Sequence, residues 1–216
     1  RGMIGGFTDG VSATGPGHLQ LNLELPLAKL EQSKNAGTFQ LANDALRLRP
    51  GMPALEHVNG PVGFTESGLT LHDLKARLLG GTVTLSGGSK PGEGVAVSAR
   101  GQATVAGLRA AFDHPWWRYL SGGASYVASL KVRGGSTQVS FDSSLAGVAS
   151  NLPPPLAKTA ARVLPLHVEF LPGEGDARDR ISVVLGRLLR AEFLRVRQGD
   201  AMVLQRASVA LNPVPG

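Results

Sequence analysis

Apolar and polar side chains alternate with a period of two along most of this chain, and that spacing puts the apolar set on one face of a half-buried β-strand. The clearest run is Leu19, Leu21, Leu23, Leu25 and Leu27, set against Gln20, Asn22, Glu24 and Pro26. A proline there marks a strand end or an edge. The pattern returns at Phe39 and Leu41, at Leu46 and Leu48, at Val83 and Leu85, and at Val95, Val97 and Ala99, running on past Gly101 toward Val105. It continues at Tyr126, Ala128, Leu130 and Val132, then at Val139 and Phe141, Leu166, Val168 and Phe170, and Ile181, Val183 and Leu185. The last strands centre on residues 188–197 and 202–212. Leu69 and Leu71 fall out of phase with Leu74, Ala76 and Leu78, which predicts a β-bulge near His72 and Asp73.

Turn signals separate these runs: Pro50-Gly51, Gly80-Gly81, and the stretch Gly87 to Gly94. Connections this short favour antiparallel neighbours, because a parallel pair needs a crossover of about a dozen residues or more. Glycine contributes 29 of 216 residues, roughly double the average of about 7%. Only two stretches read as helical: Ala106 to Leu120, interrupted by Pro115, and Pro155 to Val163. The expected fold is therefore mainly β, an antiparallel meander forming a curved, twisted sheet or groove, open or half-barrel-like, with one or two short helices. Residues 1–216 are expected to form a single β-rich segment of a longer protein, since the chain opens at Arg1 with no signal-peptide pattern. No apolar run approaches the ~20 residues of a spanning helix, so a membrane anchor is expected outside this segment.

The inventory argues against chemistry. Cysteine is absent, and the five histidines are dispersed at positions 18, 57, 72, 114 and 167, without helical metal-ligand spacing. His72-Asp73 and Asp113-His114 are adjacent pairs, and neighbours on a strand point to opposite faces. Neither Gly15-Pro16-Gly17 nor Gly87-Gly88 has the spacing of a phosphate-binding loop or opens a long helix. No catalytic residue, metal or cofactor is expected. The formal charge of +6 suits an anionic partner. However, the arginines are scattered singly, and 5% aromatic residues with no interleaved basic and aromatic surface tell against nucleic acid. Trp116-Trp117-Arg118-Tyr119 is the densest aromatic cluster. It reads as a short helix plugging one end of a sheet, ahead of a surface that stacks on sugars or bases or sits at a membrane interface.

Two short helices cannot shield the apolar face of roughly twelve strands, so another sheet, self-curling or a bound apolar ligand must cover it. The candidates for that inward face are Leu21, Leu23, Leu25, Phe39, Leu41, Val83, Leu85, Val97, Leu130, Phe141, Val168, Phe170, Val183 and Phe193. Ordinary core packing would use the same residues. Strands left at either end of the sheet would expose unpaired backbone groups and allow edge-to-edge self-association.

One stretch is more specific. Ser143-Ser144-Leu145-Ala146-Gly147-Val148, followed by Leu152-Pro153-Pro154-Pro155-Leu156-Ala157-Lys158, resembles the Ser-Asp-Leu-x-Gly and Leu-Pro-x-Pro-Leu-x-Lys segments of the YhdP family, within the AsmA-like and TamB-like bacterial envelope proteins. The residues that carry the match are Ser143, Leu145, Gly147, Leu152, Pro153, Pro155, Leu156 and Lys158, and Ser144 stands where the family usually has Asp. Leu23 to Leu27, Gly60 to Phe64, Gly80 to Val83 and Leu164 to Leu166 add weaker matches in order. The resemblance implies a periplasmic body in a Gram-negative bacterium, anchored in the inner membrane through a segment outside this chain. It further implies a hydrophobic groove that carries phospholipid acyl chains toward the outer membrane and supports the outer-membrane barrier. The partners would be those acyl chains and components of both membranes. The alternatives are a structural or partner-binding β-domain of the envelope and, further off, an enzyme or polysaccharide binder built around Trp116 and Trp117.

Overall fold

The computed structural model describes residues 12–14, 18–24, 34–47, 53–65, 68–90, 92, 94–133, 136–173, 177–199 and 201–211. Its strands are β1 (Ser12–Thr14), β2 (His18–Glu24), β3 (Lys34–Arg47), β4 (Leu55–Thr65), β5 (Gly68–Leu78), β6 (Gly81–Lys90), β7 (Gly94–Thr104), β8 (Leu120–Arg133), β9 (Ser136–Ser143), β10 (Val148–Ser150), β11 (Leu166–Pro172), β12 (Arg178–Leu185), β13 (Leu189–Gln198) and β14 (Ala201–Leu211). Twelve of them follow one path in the order β1-β3-β4-β5-β6-β7-β8-β9-β11-β12-β13-β14, with β2 paired to β3 and β10 to β8 off the path. Apart from these two, chain order and spatial order coincide, as expected of a meander. The sheet is antiparallel and does not close into a barrel. Among the described residues, one α-helix, α1 (Val105–Ala111), and a 3-10 helix at Pro115–Tyr119 complete the elements. No helix among the described residues is long and apolar enough to cross a membrane. The chain divides into two compact units, residues 1–78 with 82–99, and residues 79–81 with 100–216.

In the first unit, neighbouring strands share a row of irregularities. Ala42 faces Asn59 and Asp44 faces Val58, so Asn43 is an extra residue on β3, and its φ is +62°. Next, Asp44 and Leu46 face Val58 and Leu55, which puts an extra residue on β4, where His57 has φ +51°. Finally, Asn59 and Val62 face Lys75 and Leu71, and the extra residue on β5 coincides with Asp73 at φ +47°. This last bulge is the one predicted from the phase change at His72 and Asp73.

Positive φ is tolerated by Asn and Asp because their short polar side chains bond locally, and the cluster follows that rule. The Asn43 amide donates to Asn59 Oδ1 at 2.9 Å, Asn59 Nδ2 donates to the His57 carbonyl at 2.7 Å, and His57 Nδ1 lies 2.5 Å from Asn43 Oδ1. The Ser86 hydroxyl donates to Asp73 Oδ1 at 2.6 Å. Because each extra residue restores the phase, Leu41, Leu55, Val58, Leu74, Ala76 and Val83 are all buried and form the core of this unit. Asp44 is buried among them, its Oδ2 accepting the Ala42 amide at 2.7 Å.

The expected turn from Gly87 to Gly94 is shorter than predicted, because β6 continues through Gly87 and Gly88 to Lys90. These glycines serve close approach within the sheet. A Cβ on Gly88 would lie 2.2 Å from the Leu69 carbonyl oxygen, and one on Gly87, at φ +139°, 2.2 Å from that of Ala96.

In the second unit, the predicted break at Pro115 separates α1 from the 3-10 helix. Thr104 caps α1 by accepting the Gly107 amide at 3.0 Å, and His114 Nδ1 accepts the Trp116 amide at 3.4 Å. The helix expected from Pro155 to Val163 does not form. There the Lys158 amide and carbonyl exchange hydrogen bonds with Ser150 at 3.0 and 2.8 Å, so backbone groups a helix would need are committed to a neighbouring segment.

Replacing Gly87 by Val combines a strained φ with a clash against backbone and should cost about 3 kcal/mol or more. Urea unfolding of the variant should show a clearly lowered midpoint, and an unchanged midpoint would contradict the close approach described for β6.

Candidate functional site

Residues directly opposite one another in adjacent strands project from the same face, so the registers of the second unit define what each face carries. Ala128, Phe141, Val168, Val183, Ala191 and Val209 are consecutive partners across β8, β9, β11, β12, β13 and β14. Leu130, Val139, Phe170, Ile181, Phe193 and Ala207 form a second row, and Tyr126, Ser143, Leu166, Leu185, Leu189 and Leu211 a third. No position in the three rows carries a charge. The opposite face is more polar: Ser129, Ser140, Glu169, Ser182, Glu192 and Ser208 form one row across the same strands, and Val127, Asp142, His167, Val184, Arg190 and Ala210 the next. Ser129 and Ser140 hydroxyls meet at 2.8 Å there, and Asp142 reaches His167 Nδ1 at 2.7 Å.

All six residues predicted to line this part of the inward face, Leu130, Phe141, Val168, Phe170, Val183 and Phe193, fall in the apolar rows. Tyr126 and Ala191 are buried, whereas the other row members from β8 to β13 are half-buried. On β14, Val209 is 59% and Leu211 54% exposed, so no second layer of the unit covers this end of the rows. Along β13 the stripe runs from Leu189 to Phe193, about 14 Å at strand spacing.

In the first unit Phe39 faces Leu19 and Val62, and Val62 faces Leu71. Leu41 and Val83 are buried, and Leu85 and Val97 half-buried. Leu21 and Leu23 lie on β2 opposite Gly37 and Asn35. Leu25 lies outside the described residues.

Two features escaped the sequence reading. At the end of the rows, Asp179 and Arg195 are directly opposed on β12 and β13. Arg195 Nε and Nη2 bind Asp179 Oδ1 and Oδ2 at 2.7 and 2.6 Å, and Asp179 is buried. Period two counted outward from Ile181 and Phe193 would have placed both on the apolar face. The second is the surroundings of Tyr126, a residue the alternation had placed on the apolar face: it stacks on Phe141 with centroids 5.1 Å apart, and its hydroxyl is buried with no hydrogen-bond partner among the described residues. Burial pushes its pKa above the ordinary tyrosine value.

The motif residues build the connection from β9 to β11. The Ser143 hydroxyl donates to the Ser125 carbonyl at 2.8 Å and accepts the Leu145 amide at 3.1 Å. Gly147, at φ +98°, lies so close to β8 that a Cβ would be 2.3 Å from the Gly123 carbonyl oxygen. Leu156 donates its amide to the Pro153 carbonyl at 3.0 Å, and Leu152 donates to Ser150 Oγ at 3.4 Å. Pro155 follows a cis Pro154-Pro155 bond. The buried Lys158 ties the connection together, its Nζ donating to the carbonyls of Leu145, Val148 and Thr159 at 2.7, 2.6 and 3.1 Å. Desolvation, and secondarily the Arg162 charge, hold its pKa below the ordinary lysine value. Three carbonyls satisfy the ammonium donors, so a residue that is almost never buried unpaired is accommodated.

Lys158→Met keeps the apolar stem and removes all three bonds. It should destabilise the protein by about 3 kcal/mol, because buried carbonyls lose their donor. Amide exchange should accelerate first across residues 144–164, and full protection of that segment in the variant would rule out the clasp.

No curated protein and no solved structure matches the chain. A family model described as YhdP protein matches residues 1–215. With the Ser143-to-Lys158 motif folded into one clasped connection on an open antiparallel sheet, the chain belongs to the YhdP family of bacterial envelope proteins.

Proposed function

We propose that the apolar rows of β8, β9 and β11–β14 carry phospholipid acyl chains, within a periplasmic protein held at the inner membrane by a segment outside these residues. The observation that supports this reading is a stripe three rows deep and six strands wide, free of charge, whose members other than the buried Tyr126 and Ala191 are half-buried or exposed. Among the described residues, seven in α-helix and five in 3-10 helix are too few to shield it.

The physics suits passage without chemistry. Each methylene kept from water is worth about 0.8 kcal/mol, so exposing two acyl chains to the periplasm costs on the order of 20 kcal/mol. A continuous apolar stripe removes most of that barrier. Its contacts are dispersive, about 0.1–0.2 kcal/mol per atom pair and without direction, so a chain can slide from one strand to the next without breaking a specific bond. In this reading the protein is not an enzyme, needs no cofactor, and supports the outer-membrane barrier by supplying lipid. A structural or partner-binding role is the competing reading, favoured by the buried Leu41 and Val83, which behave as ordinary core in the first unit.

Native mass spectrometry of the purified chain should detect co-purified phospholipid. Val168→Arg places a charge between Phe141 and Val183. It should abolish lipid retention while shifting unfolding stability by no more than about 1 kcal/mol, because a half-buried site lets the long side chain reach water. In cells carrying the full-length protein the same substitution should weaken the outer-membrane barrier. Unfolding by Val168→Arg, or a wild-type chain with no bound lipid, would favour the structural role instead.

A further inference from the structure

Basic residues scattered singly along the sequence are gathered by the sheet. On the polar face of the second unit, Leu171, Arg180, Leu194 and Arg206 are consecutive partners across β11 to β14, and Lys131 pairs with Gln138 one residue beyond the Leu130–Val139 pair. In the next row outward Arg178, Val196 and Val203 are partners, and Arg133 pairs with Ser136. The register shift at Leu194 and Arg195 leaves these faces unchanged, since the extra residue on β14 is Gln205. Among the described residues, the two rows therefore hold Lys131, Arg133, Arg178, Arg180 and Arg206 and no carboxylate. The carboxylates of this face, Asp142, Glu169 and Glu192, all lie in the two rows at the other end, accompanied there by Arg190. All five cations of the outer rows are exposed, and among the described residues none makes an ion pair or a side-chain hydrogen bond. The Asp179–Arg195 pair belongs to the opposite face. Glu174, Asp176 and Asp200, in the connections that follow these rows, lie outside the described residues; with all three counted, the cations remain in excess.

We propose that this end of the polar face docks on an anionic lipid surface, with its guanidinium and ammonium groups against head-group phosphates. The docking face is opposite to the apolar rows, so it does not depend on the acyl-chain reading. A face that is merely solvated interleaves both signs of charge, whereas this one keeps like charges together against their mutual repulsion. From β8 to β14 the rows extend about 24 Å at strand spacing, which suits a repeating array of charges rather than one small anion. Half-buried Leu171, Leu194 and Val196 and exposed Val203 sit among the arginines. A hydrated polyanion offers these aliphatic groups nothing, whereas the boundary between head groups and acyl chains accepts both kinds of side chain. Neither row carries an aromatic residue, and Trp116, Trp117 and Tyr119 precede β8 at the end away from Arg133, so the patch has no platform for stacking on bases or sugars.

Co-sedimentation with vesicles reads the docking directly. The wild-type chain should bind vesicles of equal parts phosphatidylglycerol and phosphatidylcholine far more tightly than vesicles of phosphatidylcholine alone, and high salt should abolish the difference. Arg180→Gln with Arg206→Gln should weaken partitioning to the mixed vesicles about thirtyfold, at about fivefold for each charge withdrawn from an anionic surface. Lys75→Gln with Arg190→Gln removes the same net charge from exposed positions outside the two rows. This second pair should change partitioning by less than about threefold, because charges held away from the surface are screened. Both replacements are at exposed sites and should leave the urea midpoint unchanged. Equal weakening by the two double variants would reduce the effect to net charge and overturn the patch, as would equal binding of the wild-type chain to both kinds of vesicle. Sodium polyphosphate is the remaining arm: if it holds the chain through Arg180 and Arg206 as tightly, per phosphate, as the mixed vesicles do, the partner is a soluble polyanion and the lipid surface is overturned.

Discussion

Cross-strand register is the constraint on which everything else here depends. In an antiparallel sheet a slip of one residue would move Phe141, Val168 and Val183 to the face that now carries Asp142, His167 and Glu169. The chain guards against this in two ways. In the second unit the polar face supplies its own pairings, Ser129 with Ser140 and Asp142 with His167, which only the observed alignment satisfies. The ion pair of buried Asp179 with half-buried Arg195 does the same from the apolar side, since a shift would leave the Asp179 carboxylate away from water without its partner.

Glycine has a different job from the one its abundance first indicates. Turns account for part of the surplus, at Gly80 for example, where φ is +77°. Gly87, Gly88 and Gly147 instead mark points where one backbone passes another at a separation that excludes even a methyl group. Composition alone cannot separate these uses, since both need the same missing side chain. That is why the stretch from Gly87 to Gly94 reads as one long turn and yet lies partly in β6.

What was legible before the fold was known is what period two records. That Leu130, Phe141, Val168, Phe170, Val183 and Phe193 share a face needed no knowledge of partners, because alternation alone sorts the two faces of a strand. The bulge at Asp73 was visible for the same reason, as a break in phase between Leu71 and Leu74. The matching bulges at Asn43 and His57 were not, because polar residues beside them mask the change. Pro155 to Val163 looked helical from its proline and alanines. Its true conformation is set by Lys158, whose carbonyl partners come from residues as far back as Leu145, and no local window contains that information. The Asp179–Arg195 pair was overlooked because the arginines were weighed only as singly scattered charges, although their spacing from Ile181 and Phe193 already assigned both residues a side.

The adjacent bulges of β3, β4 and β5 have a consequence for assembly of the first unit. Each inserted residue needs a complementary irregularity next door, so the three strands fit together in one alignment as the wards of a lock fit a key. A nascent β4 that paired one position early would set His57 against regular backbone and lose the Asn43 and Asn59 contacts at once. Mispaired hairpins would then be penalised while they are still small, before the apolar core has formed to trap them.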